Sequence, residues 1–159
     1  MKFVHSRDLN VPVEFLFERA SDFAAFESRA TANGVEVHRL TGGPIDLGCQ
    51  WQIAGVLRGK PRQAEVELTQ ISAPDHLTIV GHSAEYRLAV SLNFIALTKR
   101  TSRLEVLIEA KGTTLRSRIS MQTLRLARRR IANRIKAAIT QAAKKVESEF
   151  QRQPRAARQ

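Results

Sequence analysis

Few side chains in this 159-residue chain have chemistry beyond packing, and their spacing limits what that chemistry can be. His5, His38, His76 and His82 are the only histidines, and none has a second histidine or a carboxylate four residues further on. A metal centre is built from several such ligands at helical or loop spacing, so no metal site is expected. His82 with Glu85 or Tyr86 is the one arrangement that suggests general acid–base catalysis. Strand alternation, however, places His82 on the face opposite Leu77 and Ile79. Cys49 is the single cysteine, which excludes an intramolecular disulfide and a cysteine-based zinc site. It reads as a small buried hydrophobe. No nucleophile-elbow sequence, phosphate-binding loop or dinucleotide fingerprint is present, and Gly42-Gly43-Pro44 is only a turn. No cofactor is therefore expected.

The remaining chemistry is cationic. Residues 1–114 hold 13 basic and 13 acidic side chains, whereas residues 115–159 hold 13 basic side chains against Glu147 and Glu149 alone. The whole net charge of +11 thus sits in the last 45 residues. Arg125, Arg128, Arg129, Arg130 and Arg134 form the densest part and are the candidate anion-binding residues. On a helix, successive residues turn by about 100°, so Arg128, Arg129 and Arg130 must fan across the solvent side. Such a face is either simply solvated or offered to an anionic partner, an RNA or a membrane surface. No aromatic residue lies between Arg125 and Val146, so a stacking platform for single-stranded nucleic acid is missing there.

The elements that must position these residues are read from hydrophobic period. Residues 2–9 alternate as a strand, with Phe3, His5, Arg7 and Leu9 on one face. Pro12 and Glu14 suit a helix start, and Val13, Leu16, Phe17 and Ala20 follow at helical spacing. Ser21 or Asp22 can cap a second short helix carrying Phe23 and Phe26, which ends at Asn33-Gly34. From residue 35 to 111 the period falls to two. Trp51, Ile53, Gly55 and Leu57, then Ala64, Val66 and Leu68, then Tyr86 through Phe94, then Leu104 through Ala110 alternate with polar partners. Gly59-Lys60-Pro61, Ala73-Pro74-Asp75 and Lys99 to Ser102 mark turns. Short strands apolar on one face describe an antiparallel meander. Thr113 to Gln153 contains neither Gly nor Pro, and Leu124, Ala127, Ile131, Ile135, Ala138, Ala142, Val146 and Phe150 step by three or four. That predicts one long amphipathic helix of about 37 residues, roughly 55 Å, longer than the ~20 Å of a typical strand, so one end projects or bends. Residues 151–159 read as a flexible basic tail.

A sheet with one apolar face needs cover, and only the C-terminal helix is long enough to supply it. The chain has just 7 Phe, 1 Trp, 1 Tyr and 2 Met to fill the space between them. Small residues recur on the inward faces, Ala127 and Ala138 of the helix among them, so part of the space is expected to be a cavity. Phe26, Trp51, Tyr86, Phe94, Met121 and Leu124 are its candidate ligand-binding residues.

The order of elements resembles the START-like, or SRPBCC, superfamily, which includes polyketide cyclase/dehydrase-like and coenzyme Q-binding groups. Val11-Pro12-Val13-Glu14-Phe15-Leu16-Phe17 followed by Ser21-Asp22-Phe23 resembles its opening, Gly48-Cys49-Gln50-Trp51 its third strand, and Ala73-Pro74-Asp75-His76-Leu77 a later link. The resemblance covers residues 1–150 and implies an α+β helix-grip domain with six or seven strands, two short N-terminal helices and a long C-terminal one. It implies binding or carriage of a hydrophobic small molecule such as a lipid, quinone or polyketide. Two alternatives accompany it: a cyclase/dehydrase-type enzyme using the same cavity, and docking on RNA, the ribosome or an anionic membrane through the basic helix. No apolar stretch suits a signal peptide or a membrane span, so a cytoplasmic protein is expected; a monomer or homodimer is expected as its state.

Overall fold

The computed structural model describes residues 1–57 and 59–158; Arg58 and Gln159, the last residue of the expected tail, lie outside the described residues. The order is β1 (Lys2–Leu9), α1 (Val13–Ala20), α2 (Phe23–Ala32), β2 (Glu36–Arg39), β3 (Gln50–Leu57), β4 (Lys60–Ser72), β5 (His76–His82), β6 (Tyr86–Ala96), β7 (Ser102–Gly112), α3 (Leu115–Arg125) and α4 (Arg128–Arg152). The strands form one antiparallel sheet in the order β1-β7-β6-β5-β4-β3-β2, so β1 and β2 are its edges. This is the α+β arrangement that alternation predicts. β4 is longer than its sequence signal: it begins at Lys60, and Pro61 pairs with Val56 near the hairpin end instead of lying in the turn.

Register explains why one face is apolar. Phe3, Ile108, Val90 and Ile79 lie in one row across β1, β7, β6 and β5, and His5, Val106, Leu92 and Leu77 in the next. The opposite face carries His76, Asn93, Glu105 and Ser6 in one row. Both nitrogens of His76 are engaged there: Nδ1 lies 2.6 Å from Asn93 Oδ1, and Nε2 lies 2.8 Å from Thr78 Oγ1 and 3.0 Å from Gln70 Oε1.

The core fills only one end of the space between sheet and helices. Leu9, Val11, Val13, Leu16, Phe17, Phe23, Trp51, Leu68, Leu77, Phe94 and Ala143 form it. α1 closes that end like a plug. Its Phe17 meets Phe94 of β6 edge-on at 5.3 Å, and its Phe15 meets Phe150 of α4 at 5.0 Å. Ser102 Oγ, fully buried, donates to the Val11 carbonyl at 2.8 Å and ties the chain entering α1 to β7. Asp22 caps α2, accepting from the Ala25 amide at 3.1 Å.

The C-terminal helical span departs from the sequence reading in two ways. It is interrupted at Leu126 and Ala127, which separates α3 from the 25-residue α4. No Gly or Pro marks this break. α3 packs on the end of β7, where the Thr114–Ser117 capping box and buried Ser117 press on Gly112. A Cβ at residue 112 would come within 2.6 Å of the Ser117 backbone, so only glycine permits this approach. Second, Ala138 and Ala142 are exposed while Ala143 is buried at 2%. The inward face therefore runs through Ala132, Ile135, Ile139, Ala143, Val146 and Phe150. α4 ends at Arg152, and residues Arg155–Arg158 form a single 3-10 turn in which Arg158 Nε donates to the Gln153 carbonyl at 2.6 Å.

Candidate functional site

At the end of the grip away from α1, the helix and sheet do not close on each other. An open pocket of about 270 Å³ lies between β1, β7 and the first half of α4. Its apolar lining is Phe3, Val106, Ile108 and Ile135, with Ala132 contributing only a methyl group from the helix and the exposed Val4 bordering it at the free edge of β1. Strand period two delivers Phe3 with His5 and Val106 with Ile108 to this one face, and helical spacing delivers Arg128, Ala132, Ile135 and Lys136. The polar lining is His5, Arg128, Asn133 and Lys136, and none of the described lining residues is acidic.

Arg128 is held in place at the mouth. Its guanidinium stacks over the Phe3 ring, 5.0 Å from the centroid, and one of its nitrogens donates to the Lys2 carbonyl at 2.6 Å. A guanidinium has five N–H donors, so donors remain for an anion. On the same face of β1, Arg7 reaches across to Thr140 of α4 at 3.4 Å. Its Nε is buried with no hydrogen-bond partner among the described residues.

A second concavity, about 370 Å³, lies on the opposite face of the sheet between Gln70, Thr78, Arg87, Ser91 and Glu109. Its described lining is of strand residues alone, and its His76–Thr78–Ser91 neighbours already satisfy one another.

The residues expected to bind a ligand are dispersed. Trp51, 5% exposed, and Phe94 belong to the packed core, and neither borders the 270 Å³ cavity. Phe26 projects from α2 and is 57% exposed. Tyr86 stands half-buried at the start of β6, and Met121 and Leu124 are half-buried on α3. All five expected anion-binding residues are exposed, and of them Arg128 alone lines the pocket. His82 and Tyr86 stand on opposite faces of the sheet, so they do not form an acid–base pair. Cys49 is buried and accepts from Thr41 Oγ1 at 3.2 Å.

Sequence reasoning missed Glu27. The Trp51 indole N–H donates to its Oε1 at 2.6 Å, and Arg39 adds bonds of 2.9 and 3.0 Å to its two oxygens. The signal was present, because a buried tryptophan needs an acceptor for its N–H. Burial pushes the Glu27 carboxyl up, but the Trp51 and Arg39 hydrogen bonds and the Arg39 charge outweigh it and hold it below 4.5. We expect Glu27→Gln to cost about 1–2 kcal/mol at neutral pH, the lower part of the range for charged hydrogen bonds because both partners are partly exposed. A lowered folded pKa means that the unfolded chain binds the proton first, so the contribution is present above pH 4.5 and is lost as pH falls through the folded value. Denaturant titrations of both proteins should therefore converge on acidification below that point; a gap that stays constant would contradict the assignment.

No family model and no curated protein matches the chain. Solved structures do match its fold. Norcoclaurine synthase from Thalictrum flavum, solved in complex with dopamine and hydroxybenzaldehyde, is similar with a TM-score of 0.67 at 8% identity, covering 98% of this chain and 89% of that one. An aromatase/cyclase from a Streptomyces species is similar with a TM-score of 0.62 at 11% identity, over 92% and 95%. A START superfamily protein from Mycobacterium smegmatis is similar with a TM-score of 0.55 at 10% identity, over 86% and 98%.

Proposed function

Proceeding from a START-like fold, we propose that this chain binds a small, largely apolar molecule with an anionic group in the cavity between β1, β7 and α4. One observation carries the reading: an apolar lining is crossed on one side by Arg128, Asn133 and Lys136, with no acidic residue among the described lining residues. An apolar body gains by leaving water, about 25 cal/mol per Å². An anionic group gains charge-assisted hydrogen bonds from Arg128 and Lys136 at the mouth, where it stays partly hydrated. The volume of about 270 Å³ lies near the ~300 Å³ lower end of ligand pockets, so the molecule is small or extends out of the mouth. One neighbour of the same fold was solved with small organic molecules bound, dopamine and hydroxybenzaldehyde.

Calorimetric titration with decanoate and with decanol tests the reading, because the two share an alkyl chain and differ in charge. Decanoate is expected to bind saturably and at least tenfold more tightly, equivalent to about 1.4 kcal/mol. Absence of saturable binding by either would remove the cavity reading, and equal affinities would remove the anionic preference.

A further inference from the structure

α3 carries two apolar faces, and only one of them is used. Ser117, Met121 and Leu124 face inward, with Ser117 fully buried against the end of β7. Leu115, Ile119 and Leu126 point to solvent, at 76%, 59% and 91% exposure. At about 100° per residue these three fall within an arc of roughly 40°. Leu126 keeps right-handed helical dihedrals at the break, φ −67° and ψ −28°, so it continues the same stripe. Arg116 flanks the stripe on one side and Arg118 and Arg125 on the other, all exposed. Arg129 and Arg130 follow just beyond the break, and residues 110–146 contain no acidic side chain.

We infer that α3 is a docking element for an anionic lipid surface, lying in the membrane–water interface with Leu115, Ile119 and Leu126 among the acyl chains and the arginines among the headgroup phosphates. The pattern of an apolar stripe with a cationic border is what an interfacial helix requires. Two other occupants fit less well. An RNA would meet the arginines but would leave three apolar side chains against phosphates, and α3 offers no aromatic ring on which a base can stack. A second copy of the chain would bring one acid-free cationic segment against another, with like charges opposed. No helix among the described residues is long and apolar enough to cross a membrane, which is consistent with α3 resting on a surface. The inference stands apart from the proposed cavity, whose lining contains no residue of α3.

The test is flotation of the full chain with two kinds of vesicle, phosphatidylcholine alone and phosphatidylcholine with about one third phosphatidylglycerol. The chain is expected to float with the anionic vesicles and to stay behind with the neutral ones. Leu115→Ser, Ile119→Ser and Leu126→Ser combined should lower partitioning at least tenfold with the far-ultraviolet circular dichroism unchanged. Arg116→Gln, Arg118→Gln and Arg125→Gln combined should lower it similarly and flatten its salt dependence; this variant decides the matter if the serine variant does not fold. Failure of the wild-type chain to float, or equal flotation with neutral vesicles, would overturn the inference. So would a serine variant that floats like wild type, an outcome that, with tight binding of polyuridylate, would mark the segment as a general polyanion surface instead.

Discussion

Ala132→Trp is expected to weaken decanoate binding at least tenfold while leaving the protein folded. Ala132 contributes only a methyl group to the wall opposite Phe3, Val106 and Ile108, so its replacement by an indole puts the new ring where the ligand's apolar body would lie. Helix propensity changes by less than about 0.7 kcal/mol, and the ring enters existing space without displacing packed side chains. The loss should therefore appear in calorimetric titration and not in the unfolding midpoint. Ala138→Trp is the matched control. It sits on the same helix, but residue 138 is exposed and does not line the cavity, so binding should stay within about twofold of wild type, under about 0.5 kcal/mol. If the two variants bind decanoate equally well, the ligand does not occupy the space between β1, β7 and α4.

Phe17→Ala should destabilise the domain by about 3–5 kcal/mol, the range for a phenylalanine truncated in a core. Phe17 is buried, packs edge-on against Phe94, and belongs to the short helix that plugs the filled end of the grip. Phe17 lies within the buried core against Phe94, so its truncation leaves a void there. For a domain of this size each kcal/mol moves the midpoint by about 2–4 °C, which gives a fall on the order of 6–20 °C. Phe26→Ala, a truncation of the same side chain on α2, should change stability by less than about 0.5 kcal/mol because Phe26 is mostly solvated. Denaturant or thermal unfolding of the two variants side by side is the measurement. A similar loss in both would mean that α2 closes the core as much as α1 does.

The contrast between these phenylalanines shows where sequence reasoning ran out. Both sit at helical spacing near other apolar residues, and each helix is too short for periodicity alone to say which face is inside. Glu27 has the same status. Its role follows from the position of β2 and β3 beside α2, a contact between segments that local pattern does not report.

From residue types alone came the strands, because alternation is a backbone property that each segment carries by itself. The apolar face of the sheet, a helix start near Pro12, a cap at Ser21 or Asp22, the charge confined to the last 45 residues and the likeness to a START-like grip were legible for the same reason. The long helix was legible as helix but not in its phase. In Ala-Ala-Ile-Thr-Gln-Ala-Ala the alanines are interchangeable by size, and only packing against β1 and α1 decides that Ala143 is inside and Ala138 outside. The break at Leu126 and Ala127 has no Gly or Pro to announce it in the sequence. Tertiary structure alone also decided which part of the gap stays open, since the same apolar face becomes core where α1 plugs it and an open pocket where only α4 covers it.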